Sequence, residues 1–338
     1  MNRIKTFDIA KGVAFIAVVW GHFMSRYGTM FVYTFNLPLF FVVSGYFLNT
    51  RKSPGNYGKE KAAQLLLPYL YTSLGLIILS ALKEWLLHRS FASALTVAEE
   101  VFKKALYGVG LVPAHPMFAV DFIGPIWFLF ALFFALLIVR YAISLKYGFC
   151  VVMGSMLVGY YSSRMIWFPL ELQAGMVLAG YVYVGWLLKR VVERLTEAKR
   201  NTYITFLGVF CVTFLLWMWF YAGEKELIFF CINEYPRGLI DFAGPVAAIL
   251  SVILMSHLFL QYLPVLSDLL VFVGQNTLLM LCFHTLDDRL YSWGIVTLRF
   301  PLDSVWTIVL ILVLKIALYC VLTGLWLWIR KKWQFSIS

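Results

Sequence analysis

Three ionisable side chains lie in line within the first apolar stretch of the chain: Asp8, Lys11 and His22. Lys11 and His22 are eleven residues apart, which is about three turns of an α-helix, or ~16 Å along one stripe. Asp8 lies three residues before Lys11 and falls on the same stripe. Histidine can act as a general base near neutral pH, and lysine can bind an anion. We expect a mostly apolar helix with these groups in line to turn them away from lipid.

The composition of the whole chain is that of a polytopic membrane protein. Of its 338 residues, 62% are hydrophobic and 13% are charged, whereas about a quarter of an ordinary soluble protein is charged. A transmembrane helix needs about 20 apolar residues, and ten windows approach this length: 9–26, 30–48, 65–82, 122–139, 147–162, 167–187, 203–222, 242–260, 270–286 and 304–329. We therefore expect a single all-α transmembrane domain over residues 1–338, with about ten transmembrane helices. The first helix lacks a small-residue cleavage site and is expected to be retained.

The distribution of Lys and Arg gives the expected orientation. If the N-terminus is cytoplasmic, seventeen of the 28 basic residues fall in cytoplasmic segments and ten on the other side, with Lys315 inside a span. This asymmetry follows the positive-inside rule and predicts that both termini are cytoplasmic. The net charge of +11 is then explained by loops that face an anionic leaflet or a phosphorylated ligand, so no nucleic-acid partner is expected.

The second half of the first hairpin contains Asn36, Pro38 and the pair Ser44-Gly45. Proline removes a backbone donor and bends a helix, and small residues let neighbouring helices approach closely. A broken helix at membrane depth is tolerated only against protein or a water-filled cavity. Since only a short turn separates Asn36 from His22, we expect both side chains near one another in the outer third of the membrane.

Several motifs taken together resemble the membrane-bound acyltransferase 3 family. They are Asp8-x2-Lys11-Gly12, Gly21-His22, Phe35-Asn36-Leu37-Pro38-Leu39-Phe40-Phe41-x2-Ser44-Gly45-Tyr46, Leu66-Leu67-Pro68-Tyr69, Pro125-Ile126-Trp127-Phe128-Leu129, and Gly274-Gln275-Asn276-Thr277-Leu278 through His284. The resemblance extends over nearly all of the chain. It implies a multi-pass protein of a bacterial cytoplasmic (inner) membrane that moves an acyl group, commonly acetyl from acetyl-CoA, onto hydroxyls of envelope or lipid-linked glycans. By the same resemblance, Lys11 and His22 are this chain's copies of the family's essential pair.

The chain departs from the family pattern at three positions. Asn36 stands where many relatives have histidine, Gln64 where they often have a second basic residue, and Thr277 where they have serine. Asn36 can hydrogen-bond a substrate, but an amide cannot serve as a base near neutral pH. A scheme with two histidines in the first hairpin is therefore not expected here.

The chemistry of acyl transfer assigns roles to these residues. Transfer from a thioester to an alcohol needs a base for the hydroxyl, stabilisation of the tetrahedral oxyanion and exclusion of water. We expect His22 to be the general base, with an acyl-histidine intermediate as the alternative. Asp8 and Lys11 lie at least ~15 Å from His22 towards the cytoplasm, too far to orient the imidazole, and are expected to pair with each other. An acyl-CoA donor would place its phosphates at this inner end, and the expected donor-site residues are Lys11, Lys61, Arg51 and Ser44.

A second group of residues is predicted to support the site or to line the acceptor pocket: Asp8, Asn36, Trp127, Glu171, Asn276, His284 and Lys315. Structural alternatives stay open for several residues. His22 could be a buried histidine bonded to a neighbouring helix, Lys11 a snorkelling anchor, and His284 an interfacial cap. Glu171 could form an ion pair with Arg164. Lys315 lies in mid-span, where an ionisable group usually marks a pathway or a partner.

Two further expectations concern metals and the competing function. Five cysteines without CxxC spacing and the lack of an HExxH-type pair predict no metal site. A transporter or flippase for a glycan or another amphiphile is the alternative function, because many spans, a broken helix and buried ionisable groups suit a carrier. Polar residues concentrated in one hairpin, with no recognisable inverted repeat, favour the enzyme. The sequence does not indicate an oligomeric state.

Overall fold

The computed structural model describes residues 4–22, 26–197, 202–290, 293 and 305–337. The chain is 79% helical and has no strand in these ranges, which confirms the all-α class. A short 3₁₀ turn covers Phe230–Ile232. The helices are α1 Lys5–Gly21, α2 Arg26–Tyr33, α3 Asn36–Tyr46, α4 Pro54–His88, α5 Phe91–Tyr107, α6 Trp127–Ala142, α7 Gly148–Ser162, α8 Leu172–Glu197, α9 Thr202–Ala222, α10 Leu239–Tyr262, α11 Pro264–Gln275, α12 Thr277–Leu290 and α13 Val305–Ile337.

Several of these helices can cross a membrane. Among the described residues, five candidates are long and apolar enough: Gly28–Tyr46, Pro54–His88, Leu172–Arg194, Leu239–Tyr262 and Val305–Lys332. The pair α11 and α12, bent by 74°, would make a sixth. The multi-pass character is thereby supported, but the predicted number of about ten spans and the cytoplasmic position of both termini are not confirmed. Every predicted apolar window overlaps a helix or a broken helix pair, although parts of windows 9–26 and 304–329 lie outside the described residues.

Helix α1 is surrounded by protein and not by lipid. It contacts α2, α3, α10, α11, α12 and α13, and its buried residues are spread around the helix. Its approach to α11 is close enough that only glycine fits: a Cβ on Gly12 would lie 2.3 Å from the carbonyl oxygen of Leu270, and one on Gly274 would lie 1.7 Å from that of Asp8. The part of α1 that carries Asp8 and Lys11 is therefore held against α11 by close backbone packing.

The contact between α3 and α8 is equally tight. A Cβ on Gly45 would lie 1.9 Å from the carbonyl oxygen of Val182, and one on Gly185 would lie 1.9 Å from that of Val42. The expectation that Ser44-Gly45 allows close backbone approach is confirmed. Because these contacts are between backbones, they fix the second half of the hairpin relative to α8.

Two helix pairs are broken. α2 and α3 are separated by a turn at Thr34 and Phe35, and Pro38 explains this break, because its ring excludes the carbonyl of the residue four positions earlier and it has no N–H to donate. The hydroxyl of Thr34 donates to the Phe31 carbonyl at 2.6 Å and accepts from the Trp217 indole N–H at 2.9 Å. These bonds help to satisfy the polar groups at the break.

The second break lies between α11 and α12. Asn276 interrupts the pair, and its side-chain amide donates to the Phe272 carbonyl at 2.8 Å. Its backbone N–H donates to the Val273 carbonyl at 3.1 Å. Asn276 therefore caps the end of α11 while the chain turns by 74° into α12.

Candidate active site

A cavity of about 430 Å³ lies against the first hairpin. Lys11 and His22 both line it, so the cavity follows α1 for about three turns, or ~16 Å. Its walls come from α1, α2, α3, α4, α6 and α12 and from the segments 110–125 and 228–231. Most of the lining side chains are apolar. The polar lining residues are Lys11, His22, Tyr33, Asn36, Ser44, Cys231, Thr277, Asp288 and Arg289.

Lys11 is held at its end of the cavity by an ion pair. Its Nζ lies 2.8 Å from Oδ1 of Asp8, which confirms the predicted pair one helical turn apart. The other oxygen of Asp8 accepts from the side-chain amide of Gln275, the last residue of α11, at 3.1 Å. Because the Lys11 side chain keeps 24% of its surface exposed, its ammonium group is available to an anion in the cavity.

His22 lies at the C-terminal end of α1 and its side chain is exposed to the cavity. Two charged residues near the end of α12, Asp288 and Arg289, line the same cavity. The guanidinium of Arg289 lies over the Phe122 ring at 4.0 Å, and its Nη2 donates to the Phe122 carbonyl at 3.4 Å. This end of the cavity therefore combines an imidazole with charges of both signs.

His284 lies directly behind His22. The two imidazole centroids are 5.4 Å apart and their planes are tilted by 47°. His284 is completely buried, so the interpretation of this residue as an interfacial cap is wrong. The reason is the 74° bend before α12, which brings this helix against α1 and α13.

Lys315, whose partner could not be named from the sequence, forms an ion pair with Asp287. Its Nζ lies 2.9 Å from Oδ2 of Asp287, and the two side chains are 1% and 8% exposed. The same carboxylate accepts from the hydroxyl of Tyr319 at 2.6 Å and from the indole N–H of Trp293. A mid-helix charge is thus neutralised beside the two histidines, as expected of an ionisable group inside an apolar bundle.

The structure brings several other predicted residues to the cavity wall. Asn36 is 2% exposed, and its side-chain oxygen accepts from the backbone N–H of Leu37 at 2.7 Å. Ser44 lines the cavity between the two ends of the hairpin. Trp127 lies against Gly110, where a Cβ would come within 2.4 Å of its ring. The expectation that Asn36 and His22 border a common space agrees with this arrangement.

Lys61, Arg51 and Asn276 are not part of the cavity lining. Lys61 donates to the side-chain oxygen of Gln64 at 2.7 Å, one helical turn before the lining residue Leu65. Arg51 is exposed on the connection between α3 and α4. Asn276 acts in the bend described above. Lys61 and Arg51 can therefore meet only the part of a ligand that extends beyond the cavity.

Glu171 lies behind the cavity wall. It is completely buried, and its Oε1 accepts from the backbone N–H of the lining residue Gly110 at 2.6 Å. Burial raises the pKa of Glu171 well above its usual value, partly opposed by this hydrogen bond. Arg164, its predicted ion-pair partner, instead donates to the Asn233 carbonyl at 3.0 Å. Glu171 therefore holds the 110–111 segment in place through this hydrogen bond.

Sequence reasoning missed the functional surroundings of His284. Tyr319 was not recognised, and Asp287, Asp288 and Arg289 were not assigned to the site. The run Asp287-Asp288-Arg289 at the end of an apolar helix was the available signal, since three adjacent charges at the edge of a span require partners. The described residues contain no group of three or more His, Cys, Asp or Glu side chains that could hold a metal ion.

The arrangement suits a long ligand with an anionic head and a reactive group at the far end. Lys11 offers a cation at one end, apolar walls line the middle, and the imidazole of His22 can accept a proton at the other. Residues 4–330, nearly the whole chain, match the family described as the acyltransferase domain. No curated protein and no solved structure matches the chain. The match confirms the resemblance found in the motifs, and the chain belongs to the acyltransferase 3 family.

Proposed function

We propose that this protein is an integral membrane O-acyltransferase. It moves an acyl group, acetyl in the simplest case, from acyl-CoA to a hydroxyl of a cell-envelope or lipid-linked glycan, and it works in a bacterial cytoplasmic membrane. Family membership supports the acyltransferase class. The observation that carries the rest of the proposal is the cavity that joins Lys11 to His22 along α1.

The donor enters from the Lys11 end. The ammonium of Lys11, held by Asp8 at 2.8 Å, binds a phosphate of CoA through a charge-assisted hydrogen bond. The pantetheine arm then extends past Ser44 along the apolar wall, over the ~16 Å that separate Lys11 from His22. Lys61 and Arg51, outside the cavity, meet the nucleotide part of the donor. This placement brings the thioester carbonyl to His22.

The transfer step follows from the position of His22. Its imidazole takes the proton of the acceptor hydroxyl while the oxygen attacks the thioester carbonyl and forms a tetrahedral oxyanion. The carbon–sulfur bond then breaks, the ester is released, and the CoA thiolate takes the proton from the imidazolium. Asn36 and Arg289 carry N–H donors at the cavity wall that can stabilise the oxyanion. The apolar lining excludes water, which would otherwise hydrolyse the thioester.

The aromatic wall opposite the hairpin forms the acceptor pocket. Trp127 and Phe122 line this part of the cavity, and aromatic faces bind the C–H faces of sugar rings by apolar contact. Arg289 and Asp288 provide hydrogen-bonding groups for the sugar hydroxyls. The acceptor hydroxyl is thereby placed between this wall and His22.

The experiment that tests the proposal compares acyl esters on envelope glycans. A deletion strain is complemented with wild-type protein, His22→Gln or His257→Gln at equal abundance in the membrane, and alkali-labile esters are measured by mass spectrometry. His257 is the matched control because it lies on α10, bonds to Gln261 and does not line the cavity.

We expect wild-type protein and His257→Gln to restore the ester and His22→Gln to lose it. If His22→Gln restores the ester fully, His22 is not the base. If wild-type protein changes only where the glycan accumulates and no ester forms, the protein is a transporter or flippase and the enzyme assignment is wrong.

A further inference from the structure

The second imidazole behind the cavity, His284, is connected to a fixed chain of hydrogen bonds. Its Nδ1 lies 3.1 Å from the hydroxyl oxygen of Tyr319. The Tyr319 hydroxyl donates its proton to Asp287 at 2.6 Å, and Asp287 forms an ion pair with Lys315 at 2.9 Å. The oxygen of Tyr319 is therefore an acceptor towards His284.

This chain determines which nitrogen of His284 carries the proton. Because the Tyr319 oxygen accepts, Nδ1 of His284 must donate, and a neutral imidazole with a proton on Nδ1 has a lone pair on Nε2. His284 is 0% exposed, and its buried Nε2 has no hydrogen-bond partner among the described residues. A buried acceptor without a partner loses about the free energy of a hydrogen bond, so a donor is expected to reach it.

The ring of His22 can supply this donor. The two ring centroids are 5.4 Å apart, and His22 borders the open cavity, so its imidazole has space on the cavity side when it turns towards Nε2. The rings of Phe15, at 6.4 Å between centroids, and Tyr319, at 5.7 Å, also pack against His284. Among the described residues, the charged groups that act on His22 are Asp288, Lys315 and Arg289.

We propose that His284 is a positioning residue for His22: its Nε2 accepts the N–H of the His22 ring, which leaves the other nitrogen of His22 unprotonated and turned to the cavity. When His22 takes the proton of the acceptor, this hydrogen bond becomes charge-assisted and stronger. The Lys315 charge is offset in part by the Asp287 carboxylate, which lies 2.9 Å from it. The inference rests on the proposed function, in which His22 is the base.

The first test reads the tautomer of His284 without any assay of activity. Protein labelled with ¹⁵N-histidine is reconstituted in lipid, and the His284 signals are assigned by their loss in His284→Gln. We expect Nδ1 of His284 to resonate in the protonated range and Nε2 in the unprotonated range. Tyr319→Phe removes the acceptor and should move the proton to Nε2, whereas a proton on Nε2 in wild-type protein overturns the inference.

The second test asks whether His284 acts through His22. His284→Phe keeps the shape of the ring but has no acceptor, and we expect kcat to fall about 10- to 100-fold, the size of one hydrogen bond to a charged group, with KM for acetyl-CoA unchanged. His284→Gln retains an acceptor oxygen and should recover part of this loss. In a His22→Gln background, His284→Phe should cause no further loss, as in a double-mutant cycle of two coupled residues.

Tyr69→Phe is the matched control for losing a buried hydroxyl. Tyr69 donates to the Ala105 carbonyl at 2.7 Å, does not line the cavity and should leave kcat close to the wild-type value. If the losses in kcat multiply in His22→Gln/His284→Phe, or if kcat falls equally in Tyr69→Phe and Tyr319→Phe, His284 has only a structural role. Either result overturns this inference and leaves the proposed function standing. A wild-type protein that transfers no acyl group overturns the proposed function and this inference with it.

Discussion

Replacing Lys11 by methionine tests the direction in which the donor lies in the cavity. Methionine keeps the unbranched apolar stem of the lysine and removes the ammonium group that binds the phosphate in the proposed complex. The same change leaves the Asp8 carboxylate without the cation that lies 2.8 Å from it. The variant is therefore expected to bind acyl-CoA less tightly for two separate reasons.

The size of each contribution can be worked out from the geometry. A hydrogen bond to a charged group contributes about 1.5 to 3 kcal/mol. The uncovered carboxylate repels a phosphate at ~8 Å by ~2 kcal/mol at an effective dielectric constant of ~20. Because Lys11 is 24% exposed, solvent screens both contributions. We expect KM for acetyl-CoA to rise about 100-fold in Lys11→Met and about 10-fold in Asp8→Asn/Lys11→Met.

The assay compares two donors with the same reactive end. Acetyl-CoA carries the phosphates, and acetyl-pantetheine carries the thioester and the arm but no phosphate. Thioester consumption by purified protein in nanodiscs should show the KM increase for acetyl-CoA only. If Lys11→Met raises KM equally for both donors, Lys11 does not bind the phosphates and the proposed direction of the donor is refuted.

Three other predictions concern the scaffold and are measured as unfolding of purified protein in detergent. Gly45→Val places a side chain where an α8 carbonyl oxygen lies, 1.9 Å from the position of a Cβ, and should strongly reduce stability. The control Gly208→Val has open space around it and should not. Equal stability of the two variants would contradict the described packing of α3 on α8. Lys315→Met leaves the Asp287 carboxylate buried without its cation and should lower the free energy of unfolding by about 3 kcal/mol, with partial recovery in Lys315→Met/Asp287→Asn. Burial raises the pKa of Glu171 in the folded state. Above about pH 4.3 the unfolded chain loses a proton from this residue that the folded protein keeps. The free energy of unfolding should therefore fall as the pH rises from about 4.3 through neutrality. Glu171→Gln should flatten this slope, and an unchanged slope would contradict the assignment.

Local spacing predicted the features that depend on a single helix or hairpin. The ion pair of Asp8 and Lys11 follows from the helical repeat, and the break before α3 follows from Pro38. Short-range geometry also predicted that His22 and Asn36 lie near one another, because the turn between them is short. These features involve residues close in the sequence, where backbone geometry alone limits the possible arrangements.

Features that depend on distant helices could not be predicted. Asp287 meets Lys315, and His284 meets His22, only because α12 turns at Asn276 and packs against α1 and α13. No periodicity in the sequence encodes a bend of 74°. The predicted number of about ten spans stays unconfirmed, since apolar windows do not tell a full span from shorter apolar helices such as Trp127–Ala142 and Gly148–Ser162.

The packing of α1 against α11 has a consequence for how the protein is made. Gln275 and Asp8, which bond to each other, are 267 residues apart in the chain, and the glycine contacts between the same two helices span a similar distance. During synthesis α1 leaves the ribosome long before α11, with its charged stripe still without the partner that α11 provides. The ribosome must add more than 200 further residues before α11 can dock. The cavity beside α1 is therefore completed only after α11 and α12 have been made, and a chain that stops before α11 never closes it.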